Sequence, residues 1–196
     1  NGAGKTTFFR LILDLIKANN GEVLSQGVDV KSTTVWKSYT GSYLDEGFLI
    51  DFLTPEEYFQ FIASVNNLSK GDIKNFMEQF DEFFNGEIIG KNKYIRELSR
   101  GNKQKVGIAA SLMSEPEILV LDEPFESLDP TTQIRLKKLL KQLKDEKNVT
   151  MLISSHDLNH VTEVCERIVV LDKGTIIHDI KTQQDTLKEL EAYFAV

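Results

Sequence analysis

The pattern of apolar and polar positions changes period several times along the chain, and each change marks an element. From Thr6 to Ala18 the run Thr-Thr-Phe-Phe-Arg-Leu-Ile-Leu-Asp-Leu-Ile-Lys-Ala is apolar on most sides. That predicts a helix buried between a sheet and a further layer, stopped by Asn19-Asn20-Gly21. Val23 to Val30, broken at Gln26-Gly27, reads as strand, turn and strand. Residues 31–39 show no clear period, and Trp36 is expected to serve packing. Tyr39 to Leu44 predicts a strand that runs into the polar turn Asp45-Glu46-Gly47.

Helical periodicity follows. Thr54-Pro55-Glu56-Glu57 is a capping box with proline at the first helical position, predicting a helix from Pro55 to about Val65. Ser69 and Asp72 mark a second start, followed at helical spacing by Ile73, Phe76, Met77, Phe80, Phe83 and Phe84 and closed by Asn85-Gly86. That aromatic stripe reads as a lobe's own core ahead of a partner groove. A further helix opens near Ser99, with Val106, Ala109, Ala110 and Met113 on one face.

Ile118-Leu119-Val120-Leu121 is a short, continuously apolar run, the mark of a strand buried on both faces in a parallel sheet. Asp129-Pro130 caps a long helix with Leu136, Leu139, Leu140 and Leu143 inward and a solvated lysine face. Val149 to Ser154 is a second buried strand and Asp157 to Cys165 a helix. Ile168–Leu171 and Thr175–Ile180 form a hairpin around Asp172-Lys173-Gly174, before a last helix from about Thr182 to Phe194. Strands alternating with helices indicate an α/β fold with a largely parallel sheet. The helix-only block from about residue 50 to 115 reads as an insertion into one domain spanning 1–196.

Composition narrows the function classes. The chain has 196 residues, 41% hydrophobic and 27% charged, an ordinary soluble balance. A net charge of −7 argues against nucleic acid as a partner, and means that any affinity for an anion such as ATP comes from local groups. The single cysteine, Cys165, excludes an internal disulfide. No apolar run approaches the length of a membrane span.

The chemistry begins at the first residue. Asn1-Gly2-Ala3-Gly4-Lys5-Thr6-Thr7 is the end of a phosphate-binding loop, G-x-x-x-x-G-K-[ST]. Gly2 and Gly4 let successive N–H groups point into one concavity, Lys5 reaches the β- and γ-phosphates, and the Thr6 hydroxyl can ligate Mg²⁺. After the apolar strand, Asp122-Glu123-Pro124 sets a carboxylate pair at a strand's C-terminal end, where parallel sheets bind ligands. Asp122 suits Mg²⁺, and Glu123 suits a base that polarises water. Leu98-Ser99-Arg100-Gly101-Asn102-Lys103-Gln104-Lys105 places a serine and a glycine at a helix start, which favours a phosphate; alone it reads as an ordinary cap. Ser154-Ser155-His156 ends another strand in the same layer, where His156 could donate to a γ-phosphate. His156 and His160 stand at i, i+4 without the glutamate of a zinc protease.

The ordered set Asn1–Thr7, Leu98–Lys105, Ile118–Pro124, Ser127-Leu128-Asp129 and Ser154–His156 resembles the nucleotide-binding domain of ABC transporters, over essentially the whole chain. These stretches resemble, in turn, that family's Walker A, signature, Walker B, D-loop and H-loop. The resemblance implies a P-loop NTPase (RecA-like) fold, a mostly parallel sheet flanked by helices with an inserted α-helical subdomain. It implies ATP and Mg²⁺ as cofactors: Asn1 to Thr7 around the phosphates, Thr6 and Asp122 on the metal, Glu123 as base and His156 at the γ-phosphate. Ser99 and Gly101 would serve the ATP of a second ATPase subunit packed head to tail. A membrane permease would convert the cycle into transport, placing the protein in the cytoplasm against the inner face of the membrane.

Arg100 and Asn102 depart from the family's signature glycine and glutamine, variants that look like those of ABC-2-type exporter ATPases. The family's Q-loop glutamine corresponds to Asp45, a further candidate Mg²⁺ ligand through water. The chain opens inside a motif, so the strands and the adenine-stacking aromatic residue that precede it in the family are expected to lie outside these residues, which alone should bind ATP poorly. The leading expectation is the ATPase subunit of an exporter. The main alternative is a soluble ABC-type ATPase in translation, repair or cluster assembly. A P-loop kinase explains neither the signature stretch nor His156.

Overall fold

A computed structural model of the chain describes residues 2–194. Its first helix, α1 (Lys5–Ile12), is shorter than the apolar run predicts. It stops because Asp14 turns left-handed (φ 51): the Asp14 N–H donates to Leu11 O and the Leu15 N–H to Arg10 O, a Schellman closure well ahead of Asn19-Asn20-Gly21. The expected burial between two layers is corrected too. Phe9 and Leu13 are buried, but Phe8, Leu15 and Ile16 are exposed, because nothing among the described residues covers that side of α1.

Strands β1 (Leu24–Ser25) and β2 (Val28–Asp29) pair around Gln26 and Gly27, both at positive φ as a type I′ turn requires. Trp36 is buried, its indole N–H donating to Val30 O at 3.0 Å, so it packs. After β3 (Thr40–Tyr43) come α2 (Pro55–Val65), α3 (Lys70–Gln79) and the short α4 (Asp81–Phe84). Both capping boxes form, Thr54 with Glu57 and Ser69 with Asp72. The rings of Phe59, Phe76, Phe80, Phe83 and Phe84 lie 4.6–6.3 Å from their neighbours in one cluster, so the aromatic stripe is interior packing.

Helix α5 (Arg100–Leu112) is predicted with one apolar face, yet every residue from Lys105 to Leu112 is buried. Two glycines explain this. A Cβ on Gly107 would lie 2.0 Å from the Tyr43 ring and one on Gly41 1.9 Å from Ser111 O, so α5 and β3 pack at backbone distance. Strand β4 (Ile118–Leu121) precedes α6 (Pro130–Lys147), whose cap Asp129 accepts from the Thr132 N–H and which buries Leu136 and Leu140. Then follow β5 (Thr150–Ile153), α7 (Leu158–Val164), the antiparallel hairpin β6 (Arg167–Asp172) and β7 (Thr175–Lys181), and α8 (Thr186–Phe194). The last helix begins later than predicted because the Gln183 N–H donates to the Thr186 hydroxyl, closing a turn first.

The central sheet is parallel in the order β3–β4–β5, and Tyr43, Leu121 and Ile153 share one register. All three strands therefore end together, and the residues that follow them meet at one edge. Strand β4 is buried as predicted; β5, predicted buried, is half-exposed because it is this sheet's edge. Between the neighbours β3 and β4 the chain carries helices only.

Candidate functional site

The phosphate-loop residues arrive at this edge from the first turn of α1. Gly2 (φ 80) and Gly4 (φ 103) take backbone that side chains resist, and the first N–H groups of α1 lack helical acceptors. Gly174, in the β6–β7 turn, braces the loop: its N–H donates to Ala3 O at 2.8 Å, and its Cα would touch a Cβ on Gly4. Thr7 is exposed, and Asn1 lies outside the described residues.

Shared register then joins the other motifs. Leu121 pairs with Ile153, which sets Asp122 beside Ser154. Asp122, buried, accepts from the Thr6 hydroxyl at 2.5 Å and from the Ser154 hydroxyl through its other oxygen. Glu123 forms an ion pair with Lys5 Nζ at 3.3 Å through one oxygen. Through the other it meets His156 Nδ1 at 2.9 Å and the His156 N–H at 3.1 Å. Lys5, Thr6, Asp122, Glu123 and His156 thus form one cluster from three separated stretches.

The Glu123 backbone is itself unusual. Its φ of 46 is left-handed for a non-glycine residue, a strain of about 1–3 kcal/mol that surrounding contacts must hold. Ser154 supplies one such contact, its hydroxyl accepting from the Glu123 N–H at 2.9 Å. Sequence reasoning placed Ser154 in a motif without a role.

Other candidates lie apart. The Asp45 carboxylate accepts from the Gly47 N–H at 2.7 Å and faces Arg10 at 3.8 Å, so in this arrangement it caps a turn. Ser99 is an exposed N-cap accepting from the Asn102 N–H at 3.2 Å. A Cβ on Gly101 would lie 2.6 Å from Ser127 O, so glycine here permits close approach of the 127–129 segment. His160, past the cluster on α7, stacks on Phe125 with ring centroids 4.4 Å apart. Its Nδ1 is buried without a partner among the described residues, and burial holds its pKa below the usual imidazole value against the pull of Asp157.

Thr6 and Asp122 present a hydroxyl and a carboxylate within 2.5 Å of each other. Such hard oxygens suit Mg²⁺, which takes one or two protein ligands and completes its shell with water and phosphate. Among the described residues no group of three or more His, Cys, Asp and Glu could hold a metal by itself. No helix among them is long and apolar enough to cross a membrane.

Residues 1–126 match the family model described as ABC transporter. The chain belongs to this family. It is 37% identical over 89% of its length to an uncharacterized ABC transporter ATP-binding protein of Alkalihalophilus pseudofirmus, covering 64% of that protein. It is 31% identical over 91% of its length to the methionine import ATP-binding protein MetN of Carboxydothermus hydrogenoformans, covering 54% of it. The chain spans 50–64% of the length of the first curated relatives it matches. Among solved structures it resembles a dimeric ATP-binding cassette in a post-hydrolysis state bound to ADP and Pi, with TM-score 0.80 and 25% identity over 92% of this chain and 82% of that one. The fold is that of ABC ATPase cassettes, an α/β P-loop architecture with a parallel sheet flanked by helices.

Proposed function

We propose that the protein containing this chain binds and hydrolyses ATP as a subunit of an ABC transporter. The observation that carries this reading is the single cluster of Lys5, Thr6, Asp122, Glu123 and His156 at the C-terminal edge of a parallel sheet. In this reading the N–H groups of Gly4 to Thr7 and the α1 dipole cradle the phosphates. Lys5 leaves Glu123 for the β- and γ-phosphates, which frees the carboxylate to face the attacking water. Thr6 and Asp122 would hold Mg²⁺, which when bound would supply positive charge to the phosphates. Glu123 accepts the water's proton, held in place by His156, which also reaches toward the γ-phosphate.

A second ATPase subunit, identical or paralogous, would pack head to tail so that Ser99 and Gly101 cover its neighbour's ATP. A permease would turn closure and reopening into transport. The cassette would then sit in the cytoplasm against the membrane, with residues of about 50–115 as an inserted lobe. Arg100 and Asn102 in the signature favour export, whereas the similar MetN is named for import. Finding a neighbouring reading frame with several apolar spans would favour the transporter reading over a soluble ATPase.

Glu123→Gln in the full-length protein tests the chemistry. It should retain ATP, lose about 10²–10⁴-fold in turnover and accumulate as a dimer in sedimentation. Hydrolysis at the parental rate rejects Glu123 as the base, and a monomer with ATP bound rejects the shared site.

A further inference from the structure

The first two turns of α5 are tied to the rest of the molecule through a run of successive side chains. Arg100 meets Glu126 at 3.4 Å, Lys103 meets Glu46 at 3.2 Å, and the buried Lys105 meets Glu87 at 3.1 Å. Each of these is an ion pair between side chains. Gln104 is different: it reaches the cluster, its Nε2 donating to the main-chain carbonyl of Glu123 at 3.1 Å.

We propose that Gln104 is a positioning residue for ATP hydrolysis, holding the left-handed backbone of Glu123 from the carbonyl side so that its carboxylate stays aimed between Lys5 and His156. This rests on the reading of Glu123 as the base. Several contacts fix that residue, Lys5 at one carboxylate oxygen and the Glu126 N–H at its carbonyl among them. Ser154 holds its N–H, His156 holds the other carboxylate oxygen, and Gln104 holds the carbonyl. With φ at 46 the peptide after Glu123 is free to rotate back toward ordinary backbone unless its carbonyl is pinned. Rotation there swings the side chain; the Glu126 N–H holds that oxygen from within the turn at 3.1 Å, and the Gln104 amide ties it to α5. The same bond makes the start of α5 and the Glu123 turn move together. A shift at Ser99 or Gly101 is therefore passed to the carboxylate through one side chain.

The test uses the full-length protein. Gln104→Met preserves side-chain length and removes the donor, while Gln104→Lys restores one. Gln104→Met should lower kcat for ATP hydrolysis about ten- to hundredfold, the scale on which a displacement of about 1 Å acts, with KM for ATP and Tm near parental. Gln104→Lys should recover most of the rate. Parental kcat in Gln104→Met, a loss carried by KM, or Gln104→Lys as slow as Gln104→Met overturns the proposal. If Gln104→Met does not fold, the isosteric Gln104→Glu, without a donor at neutral pH, takes its place under the same criteria. Glu123→Gln run alongside separates the two readings. If Glu123→Gln is inactive and Gln104→Met unimpaired, the Gln104 inference alone fails; parental turnover in Glu123→Gln removes the reading beneath it.

Discussion

Lys5 and Glu123 neutralise one another at 3.3 Å, each about a quarter exposed, so nucleotide binding has to exchange one partner of that pair for phosphate. Lys5→Ala in the full-length protein should therefore abolish ATP binding before it affects chemistry, as calorimetry reads directly; micromolar affinity in that variant would remove Lys5 from the phosphate site. The residues of the cluster were legible in the sequence because each sits in a short pattern at a strand or helix end. Gln104 and Ser154 were not legible as contacts. Each bonds to main-chain atoms of a residue distant in sequence, and such a bond needs only an amide or hydroxyl in reach, leaving no periodic trace.

At the level of elements, the caps and turns behave as local chemistry dictates. The Thr54 hydroxyl accepts from the Glu57 N–H while the Glu57 carboxylate accepts from the Thr54 N–H, so the start of α2 is fixed by a reciprocal pair. Thr54→Ala should cost about 1 kcal/mol in chemical denaturation, and an unchanged midpoint would show that the packing of Tyr58 and Phe59 alone holds this end. Gly107→Ala should be costlier than an ordinary helix glycine replacement, which usually stabilises, because the new methyl meets the Tyr43 ring at 2.0 Å. A stabilised Gly107→Ala would contradict that packing. Helix α1 shows where sequence legibility ran out. Its apolar run continues past Ile12, but the left-handed Asp14 closes the helix first, and aspartate tolerates that backbone without announcing it. Strand β5, apolar from Met151 to Ile153, reads as buried like β4, and sheet order makes it the edge.

Across the whole molecule, His160 joins α7 to the Asp122-Glu123-Pro124-Phe125 turn by its stack on Phe125, and burial lowers its pKa. Its neighbours act in opposite directions: Asp157 and Glu163 favour the proton, Lys137 and His156 oppose it. An unfolded histidine takes its proton near pH 6.5, whereas the folded one resists until lower pH. Stability should therefore be fully present above about pH 6.5 and decline as pH falls through that value toward the folded pKa. His160→Phe, which keeps a stacking ring and removes the unpartnered Nδ1, should flatten the stability profile between about pH 7 and 5. An unchanged slope would assign that dependence to another group.

The central claim is that the glycine–lysine turn and the two strand ends surround one triphosphate. A crystal structure of the full-length protein with Mg²⁺ and a non-hydrolysable ATP analogue tests it most directly. The expected result has Lys5 Nζ on the β- and γ-phosphates, Thr6 and Asp122 on the metal, and Glu123 facing the γ-phosphate. A nucleotide bound elsewhere, or Lys5 and Asp122 opening onto separate cavities, would contradict it.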